Sequence, residues 1–143
     1  MIIRKAKRGD FNKIAELMNK EYSKHPYHEP WKKKNAIKTL NYFSKVGEIF
    51  VLIDKEIIGF IISRDEYYND GGSTMIEELI VDSDFQGKGF GKKLVNSVER
   101  HCKKKKIKRV LLMASKNASA FHFYKKMGYV PSKRTVLFRK ELK

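Results

Sequence analysis

The segment Ile76–Leu94, I-E-E-L-I-V-D-S-D-F-Q-G-K-G-F-G-K-K-L, decides how the rest of the chain is interpreted. It predicts a β-strand over 78–81, then a glycine-rich turn, then an amphipathic helix. Backbone N–H groups in such a turn are open to a ligand, because glycine has no Cβ, and the start of the helix carries partial positive charge. We therefore expect a phosphate site here. Three lysines add full positive charge around it: Lys88, Lys92 and Lys93.

The arrangement of the glycines narrows the type of phosphate ligand. The turn has no Gly-Lys-Ser/Thr ending for a nucleoside triphosphate, and its alternating glycines do not match the dinucleotide pattern G-x-G-x-x-G. Gln86-Gly87-Lys88-Gly89-Phe90-Gly91 instead resembles the pyrophosphate loop of GNAT-type acetyltransferases, whose signature is Gln/Arg-x-x-Gly-x-Gly/Ala. Every fixed position of that signature is matched.

A second motif supports the resemblance. The stretch from Asn117 to Tyr129 is similar to the family segment N-x-x-A-x-x-x-Y-x-x-x-G-F, with tyrosine in place of the last phenylalanine. The resemblance covers nearly the whole chain and is specific from Thr74 to Tyr129. It implies an α/β GNAT fold in the order β-α-α-β-β-β-α-β-α-β-β, with a mixed sheet of about six or seven strands and four helices.

Hydrophobic periodicity places these elements along the chain. Asp10 is a candidate helix cap, and Gly128 a helix C-terminal cap. The strand before the glycine turn and the one after the next helix should pair in parallel, because a helix crosses over between them. The predicted strands cover 1–4, 48–54, 57–63, 74–81, 109–113 (buried), 129–130 and 135–138. The predicted helices cover 11–24, 31–44, 90–106 and a last helix that starts at 117.

Length and composition limit the class of protein. The 143 residues predict one domain, 1–143, and an apolar fraction of 41% is enough for a folded core. No apolar run reaches the roughly 20 residues of a membrane span, and the first residues lack the pattern of a signal peptide. Cys102 is the only cysteine, so an internal disulfide is excluded. A cytoplasmic protein that does not associate with membranes is the expectation.

The charge is strongly positive and unevenly distributed. The formal net charge is +16, and residues 74–143 hold 18 Lys and Arg against 6 Asp and Glu. This half would attract an anionic cofactor, and it would equally attract nucleic acid or a ribosome. Lysine runs at 32–34 and 103–106 motivate the second alternative.

The resemblance implies acetyl-CoA (coenzyme A) as the cofactor. The pyrophosphate would bind the backbone of the turn, and the pantetheine arm would pair with the preceding strand where the sheet opens beside its parallel neighbour. Unpaired N–H groups there would also stabilise the thioester oxygen. The cofactor-binding residues implied are Leu79, Ile80, Val81, Gln86, Gly87, Lys88, Gly89, Phe90, Gly91, Lys92, Asn117 and Tyr124.

Acetyl transfer to an amine also requires an acid and a base. The family places a tyrosine at the position of Tyr124 as the general acid, and a phenol with a pKa near ~10 suits this task. Glu77 and Glu78 are the candidate bases. We expect them on opposite faces of their strand, and an acidic pair in similar polyamine acetyltransferases favours Glu77. The glutamate that ribosomal-protein alanine acetyltransferases use as a base corresponds here to Leu112.

Other candidates have simpler interpretations. Asn117 is expected to cap the last helix and contact the cofactor, and Cys102 to be a core residue. The four histidines lack metal-ligand spacing; His25 and His28 lie in a proline-broken loop that borders the acceptor in this fold. Five acidic residues, Asp65, Glu66, Asp70, Glu77 and Glu78, are expected to form a negative patch that attracts a cationic acceptor.

The sequence leaves the acceptor and partners open. A primary amine is expected, on a polyamine-like small molecule, a protein lysine or N-terminus, or a basic peptide. One alternative is a basic protein that binds nucleic acid or the ribosome, and another is a module that binds acyl-CoA without catalysis. Homodimers are common in the family, so a homodimer is a further expectation.

Overall fold

A five-stranded mixed sheet in the order β1-β2-β3-β4-β5 forms the centre of the fold. The computed structural model describes all 143 residues. They divide into two compact units, Met1–Met113 and Ala114–Lys143, each described separately. The first unit contains β1 (Ile2–Lys5), α1 (Phe11–Tyr22), α2 (Lys33–Val46), β2 (Gly47–Asp54), β3 (Glu56–Glu66), β4 (Ser73–Val81), α3 (Phe90–Lys104) and β5 (Arg109–Leu112). The second contains α4 (Ser119–Lys126).

The predicted element order is confirmed as far as α4. Strands β1 to β4 pair antiparallel with their neighbours, and β4 pairs parallel with β5 across the α3 crossover, as expected. Helices α1 and α2 cover one face of the sheet. Their apolar residues, including Ile14, Met18 and Leu40, form the main core with residues of β2, β3 and β4. Each of these three side chains is fully buried.

Helix α3 contributes a second buried stripe. Leu94, Val98 and Cys102 are buried at a spacing of four residues, which places them on one face of the helix. A Cβ added at Gly59 of β3 would lie 3.3 Å from Leu94 Cδ1 and 3.0 Å from the Ile80 carbonyl oxygen. The glycine therefore lets α3 approach the sheet closely.

Two irregularities in β4 determine the geometry of the sheet near the glycine turn. Ile62 of β3 lies opposite Glu78, whereas the next residue, Ser63, lies opposite Ile76. Glu77 is thus an extra residue, the feature of a β-bulge. On the other edge, β5 pairs with β4 only from Ser73 to Ile76. The remainder of β4 continues without this neighbour, so the sheet opens at the bulge.

In the second unit, α4 ends as predicted, because Gly128 follows it with a positive φ of 93°. The strands predicted at 129–130 and 135–138 do not form. Val130 is 84% exposed and Phe138 is 89% exposed. The sheet therefore has five strands instead of six or seven. Alternating apolar residues favour a strand, but a strand also needs a partner that the local pattern does not specify.

Other differences concern the ends of elements. Helix α1 ends at Tyr22 and α2 begins at Lys33. Strand β5 is half-exposed instead of buried, since it has a neighbour on one side only.

The helix caps also differ from the prediction. Asn117 does not cap α4, whose N-cap is Ala118. Asp10 is the N-cap residue of α1 without a side-chain capping bond. Its carboxylate instead accepts hydrogen bonds from Arg4 and the Lys7 N–H.

Candidate active site at the end of β4

At the end of β4, one edge of the strand is hydrogen-bonded to β3, while the other edge extends beyond its pairing with β5. Leu79, Ile80 and Val81 pair with Ile61, Phe60 and Gly59 of β3, while the pairing with β5 has already ended at Ile76. Their backbone can therefore accept an extended ligand along the other edge, in the manner of an added strand. The opening expected from the sequence beside these three residues is present.

The glycine turn follows directly. Gly87 and Gly89 have φ angles of 78° and 83°, a region that is costly for other residues. A Cβ at either position would meet no atom within 4 Å. The space in front of the turn is therefore open, and glycine is required there by backbone conformation and not by crowding. Gln86 supports the turn, because its amide donates to the Val81 carbonyl at 2.7 Å.

Positive charge surrounds this turn. Helix α3 begins at Phe90, so its first N–H groups face the turn with the positive end of the helix dipole. Lys88 lies over the Phe85 ring at 5.6 Å, and Lys93 over the Phe90 ring at 5.8 Å. Lys92 is exposed. An open turn, a helix N-terminus and lysines together fit the pyrophosphate of coenzyme A.

Glu78 is half-buried where the sheet opens. The Tyr22 hydroxyl of α1 donates a short hydrogen bond to its carboxylate. Burial is the largest influence on this group and raises the pKa of Glu78, and the negative charges of Glu77 and Glu29 raise it further against the effect of Tyr22. A carboxyl group with a raised pKa is well suited to accept a proton from an ammonium group.

Glu77 has a different environment. Its carboxylate is paired with Arg64, with N···O distances of 3.1 Å to both Nε and Nη2. Arg64 also bonds Glu66, so one guanidinium serves two carboxylates. The bulge interrupts the alternation of side chains at this point of β4, so the placement of Glu77 and Glu78 on opposite faces stays a prediction.

The expected negative patch is wrong, because the other acids are neutralised by the chain's own cations. Asp65 accepts hydrogen bonds from Thr74 at 2.7 Å and from Lys105 at 3.2 Å, and lies 3.2 Å from His101 Nε2. Asp70 is paired with Arg109, and Glu66 with Arg64. The pKa of each carboxyl group is lowered: that of Asp65 against the opposing effect of burial, that of Glu66 by the Tyr68 hydroxyl and then by Arg64, and that of Asp70 by Arg109. The charge pattern of the sequence could not show this pairing.

The second unit holds the other two predicted site residues. Tyr124 is 7% exposed, with ring centroids 5.0 Å from Phe123 and 5.5 Å from Tyr129. Asn117 is exposed, and its N–H donates to the Ser115 hydroxyl at 3.3 Å. The structure thus gives Tyr124 a buried, aromatic environment on α4. Its role as an acid, and the contact of Asn117 with the cofactor, stay predictions.

The remaining candidates are located as follows. Cys102 is buried, and burial raises the pKa of its thiol. Leu112 lies opposite Ile76, at the last pair of β5 with β4. His25 and His28 stack edge to face at 5.6 Å in the loop after α1. Across the chain, three or more His, Cys, Asp or Glu residues do not gather in a way that could hold a metal ion.

Sequence reasoning missed one group of residues at this site. Tyr22, Tyr27 and Trp31 form an aromatic cluster beside Glu78. Tyr22 reads as an ordinary member of the apolar face of α1, so its contact with Glu78 is not visible in the periodicity. The available signal was the concentration of aromatic residues around Pro26 and Pro30.

Comparison with known proteins identifies the class. Residues 11–129 match the model of the acetyltransferase (GNAT) family. The chain belongs to this family. An uncharacterized N-acetyltransferase of Methanocaldococcus jannaschii is 28% identical over 134 residues, and the match spans 89% of this chain and 59% of that protein. The chain thus corresponds to little more than half the length of this relative.

Solved structures agree with the fold. A possible acetyltransferase from Clostridium difficile 630 superposes with a TM-score of 0.85 at 18% identity, covering 99% of this chain and 98% of the other. An aminoglycoside acetyltransferase from an uncultured soil metagenomic sample superposes with a TM-score of 0.76 at 25% identity, covering 99% and 96%. The GNAT fold expected from the sequence is confirmed.

Two further properties concern the surface. The helices are all too short or too polar to cross a membrane. The lysine runs 32–34 and 103–106 are exposed, and within the second run Lys105 is paired with Asp65. Association with nucleic acid or a ribosome, and a homodimer, stay predictions.

The raised pKa of Glu78 predicts a pH-dependent stability difference. The fold favours the protonated carboxyl, so its contribution is present below the ordinary glutamate pKa of about 4.3 and is lost as pH rises through the higher value in the folded state. Glu78→Gln mimics the protonated form. We expect this variant to match the wild type in Tm at low pH and to exceed it by a few degrees near neutral pH, in thermal unfolding followed by circular dichroism.

Glu77→Gln is the matched control. It removes one negative charge from the adjacent residue but breaks the pair with Arg64, so its Tm near neutral pH should be unchanged or slightly lower. Equal Tm shifts for both variants would contradict the different environments described for the two carboxylates.

Proposed function

We propose that the protein is an acetyl-CoA-dependent N-acetyltransferase that acetylates a primary amine. The observation that carries the proposal is the arrangement at the end of β4. Strand β4 extends beyond its pairing with β5 and is followed by an open glycine turn. Glu78, whose pKa is raised, lies two residues after the last pair of β4 with β5. A cofactor arm, a pyrophosphate and an amine each find a suitable group in this short segment.

Backbone groups of β4, the glycine turn and α3 bind the cofactor in this proposal. The backbone of Leu79, Ile80 and Val81 holds the pantetheine arm, and the N–H groups of the glycine turn and the first turn of α3 hold the pyrophosphate. Backbone N–H groups of β4 beside the opening are the proposed donors to the thioester oxygen. When bound, acetyl-CoA supplies the acetyl thioester that the amine attacks.

We assign the base to Glu78 in preference to Glu77. Transfer forms a bond between the amine nitrogen and the acetyl carbon, and breaks the bond from that carbon to sulfur. The amine must first lose a proton, which passes to the Glu78 carboxylate directly or through one water. Glu77 is less suited, because its carboxylate is already paired with Arg64, and the guanidinium would repel an incoming ammonium.

The acid is assigned to Tyr124, on the strength of the family motif and its burial on α4. A phenol holds its proton at neutral pH and has a basicity broadly similar to that of a thiolate. Tyr124 Oη is therefore the proposed proton donor to the departing sulfur. After the carbon–nitrogen bond has formed, the nitrogen loses its second proton, which restores the Tyr124 phenol. The products are then a neutral amide and a neutral thiol, and Glu78 releases the first proton to solvent.

The first test is cofactor binding. Gly89→Glu should weaken the binding of acetyl-CoA and of free CoA by about 100-fold or more, because a side chain is strained at this φ and its charge repels the phosphates. Isothermal titration calorimetry measures both ligands. Gly9→Glu is the control, since Gly9 is exposed and has no atom within 4 Å of an added Cβ. Wild-type protein that binds neither ligand would remove the proposal.

The second test compares the two glutamates. Glu78→Gln should lower kcat/KM for the amine by about 100-fold or more, the usual contribution of a general base, while Glu77→Gln should lower it only a few-fold. Steady-state rates across pH should show that Glu78→Gln has lost the acidic limb of the wild-type profile. A larger loss in Glu77→Gln would return the base to that residue. Full activity in both would show that neither carboxylate is the base, whereas wild-type protein that binds acetyl-CoA but acetylates no amine would favour the non-catalytic acyl-CoA module.

The third test concerns the acid. Tyr124→Phe should reduce kcat by about 100-fold while the Kd for acetyl-CoA stays the same, because only the hydroxyl proton is lost. Tyr129→Phe, on the ring next to it, should retain kcat within a few-fold. If Tyr124→Phe instead weakens cofactor binding and leaves kcat intact, the hydroxyl has a binding role.

A further inference from the structure

The aromatic cluster beside Glu78 has a definite geometry. The rings of Tyr22 and Tyr27 meet edge to face with centroids 5.2 Å apart, and Trp31 lies 6.5 Å from Tyr22. Tyr22 is thus between the other two rings, and its hydroxyl is bonded to the Glu78 carboxylate. Tyr27 is 45% exposed and so presents a large part of its ring to solvent. One carboxylate therefore lies beside three clustered aromatic rings, of which Tyr27 is exposed and Tyr22 and Trp31 are half-buried against the core.

Backbone contacts fix this cluster in place. The Glu29 N–H donates to the Tyr22 carbonyl at 2.7 Å, and the His28 N–H to the Lys24 carbonyl at 3.0 Å. The Trp31 N–H donates to Asn19 Oδ1 at 3.0 Å. The loop between α1 and α2 is therefore folded back onto the last turns of α1. Its rings are held by the same helix that supplies the hydrogen bond to Glu78.

Glu78 differs from most other half-buried or buried acids of this chain in the groups that act on its charge. Its partner is the neutral Tyr22 hydroxyl, and the charges that act on it are the negative ones of Glu77 and Glu29. The other half-buried or buried acids with an ion pair are bound to Lys, Arg or His: Asp10, Glu21, Glu48, Asp65, Glu66, Glu77 and Asp82. In a chain of charge +16, this carboxylate is left for a cation from outside.

We propose that Tyr22, Tyr27, Trp31 and Glu78 form a binding site for one ammonium group on an apolar skeleton, so that the acceptor is a compact monoamine. The inference rests on the proposed function for its last step only, the acetylation of that amine. The carboxylate provides the ion pair, and the ring faces attract the ammonium and cover the carbon skeleton. Glu29, exposed at the edge of the cluster, adds attraction at longer range.

The same charges argue against polyamines and aminoglycosides as the preferred acceptors. Each additional ammonium of such a ligand needs an anionic partner, and the nearby acids Glu66 and Glu77 already share Arg64. Asp65 and Asp70 are likewise paired. A polycation would therefore find two available carboxylates, the half-buried Glu78 and the exposed Glu29. The strongly positive charge of the rest of the protein would repel its other ammonium groups.

Trp31 is the only tryptophan of the chain, so its fluorescence reports on this site directly and without the cofactor. The probes are 2-cyclohexylethylamine, a monoamine, and 2-cyclohexylethanol, its uncharged counterpart of similar size. We expect the amine to change Trp31 emission in a saturable way, with a Kd at least about tenfold lower than that of the alcohol. Spermidine and kanamycin should bind more weakly than the monoamine.

Three variants complete the experiment. Tyr27→Leu and Glu78→Gln should each raise the Kd of the monoamine by about tenfold or more. Tyr42→Leu, an exposed tyrosine on α2, should leave it unchanged. Thermal unfolding of each variant shows that it is folded. Equal binding of amine and alcohol, tighter binding of spermidine or kanamycin, or insensitivity to Tyr27→Leu would overturn the proposal.

The two levels of inference fail in different ways. If the protein binds coenzyme A in calorimetry but the monoamine leaves Trp31 unaffected, the acceptor class is wrong and acetyl transfer stands. If the monoamine binds as described and coenzyme A does not, the ammonium site stands and acetyl transfer is wrong.

Discussion

The extra residue in β4 is the constraint on which the site depends. Ile76 ends the pairing with β5, and Glu77 interrupts the register with β3. A regular strand would have alternated its side chains and kept both neighbours to its end. Here the end of the pairing with β5 leaves one edge of the β4 backbone without that neighbour, and the bulge places Glu77 and Glu78 directly after this point. The irregularity of β4 on both sides thus defines the proposed cofactor edge and the position of the two glutamates.

The two carboxylates show how environment separates similar groups. Arg64 neutralises Glu77 in a partly exposed ion pair, whereas Glu78 is shielded by α1 and bonded to a neutral hydroxyl. Burial without a cation raises the pKa of one group, and the ion pair supplies the other with a permanent counter-charge. A site that must receive a cationic amine and then remove its proton needs a carboxylate like that of Glu78, because a carboxylate already paired with arginine attracts a second cation weakly.

Charge in this protein has to be considered locally. The net charge of +16 is an average, and most acids outside the site are bound to lysine, arginine or histidine. The glycine turn, the start of α3 and their lysines are the proposed site for phosphate, while the aromatic cluster beside Glu78 is the proposed site for a cation. Electrostatic attraction of an anionic cofactor and of a cationic amine are therefore compatible, since they act at different points along β4 and its continuation.

The sequence by itself determined the order of elements through α4, the parallel crossover and the glycine turn. Helical and strand periodicities are local, and a turn whose residues have φ angles near +80° requires glycine wherever it occurs. Only the tertiary structure decided the different environments of Glu77 and Glu78, the pairing of Asp65, Glu66 and Asp70, and the aromatic cluster, because each depends on contacts that the local sequence pattern does not specify. The strands expected near the C-terminus failed for the same reason: a local pattern can favour a strand, but hydrogen bonds to a neighbour make one.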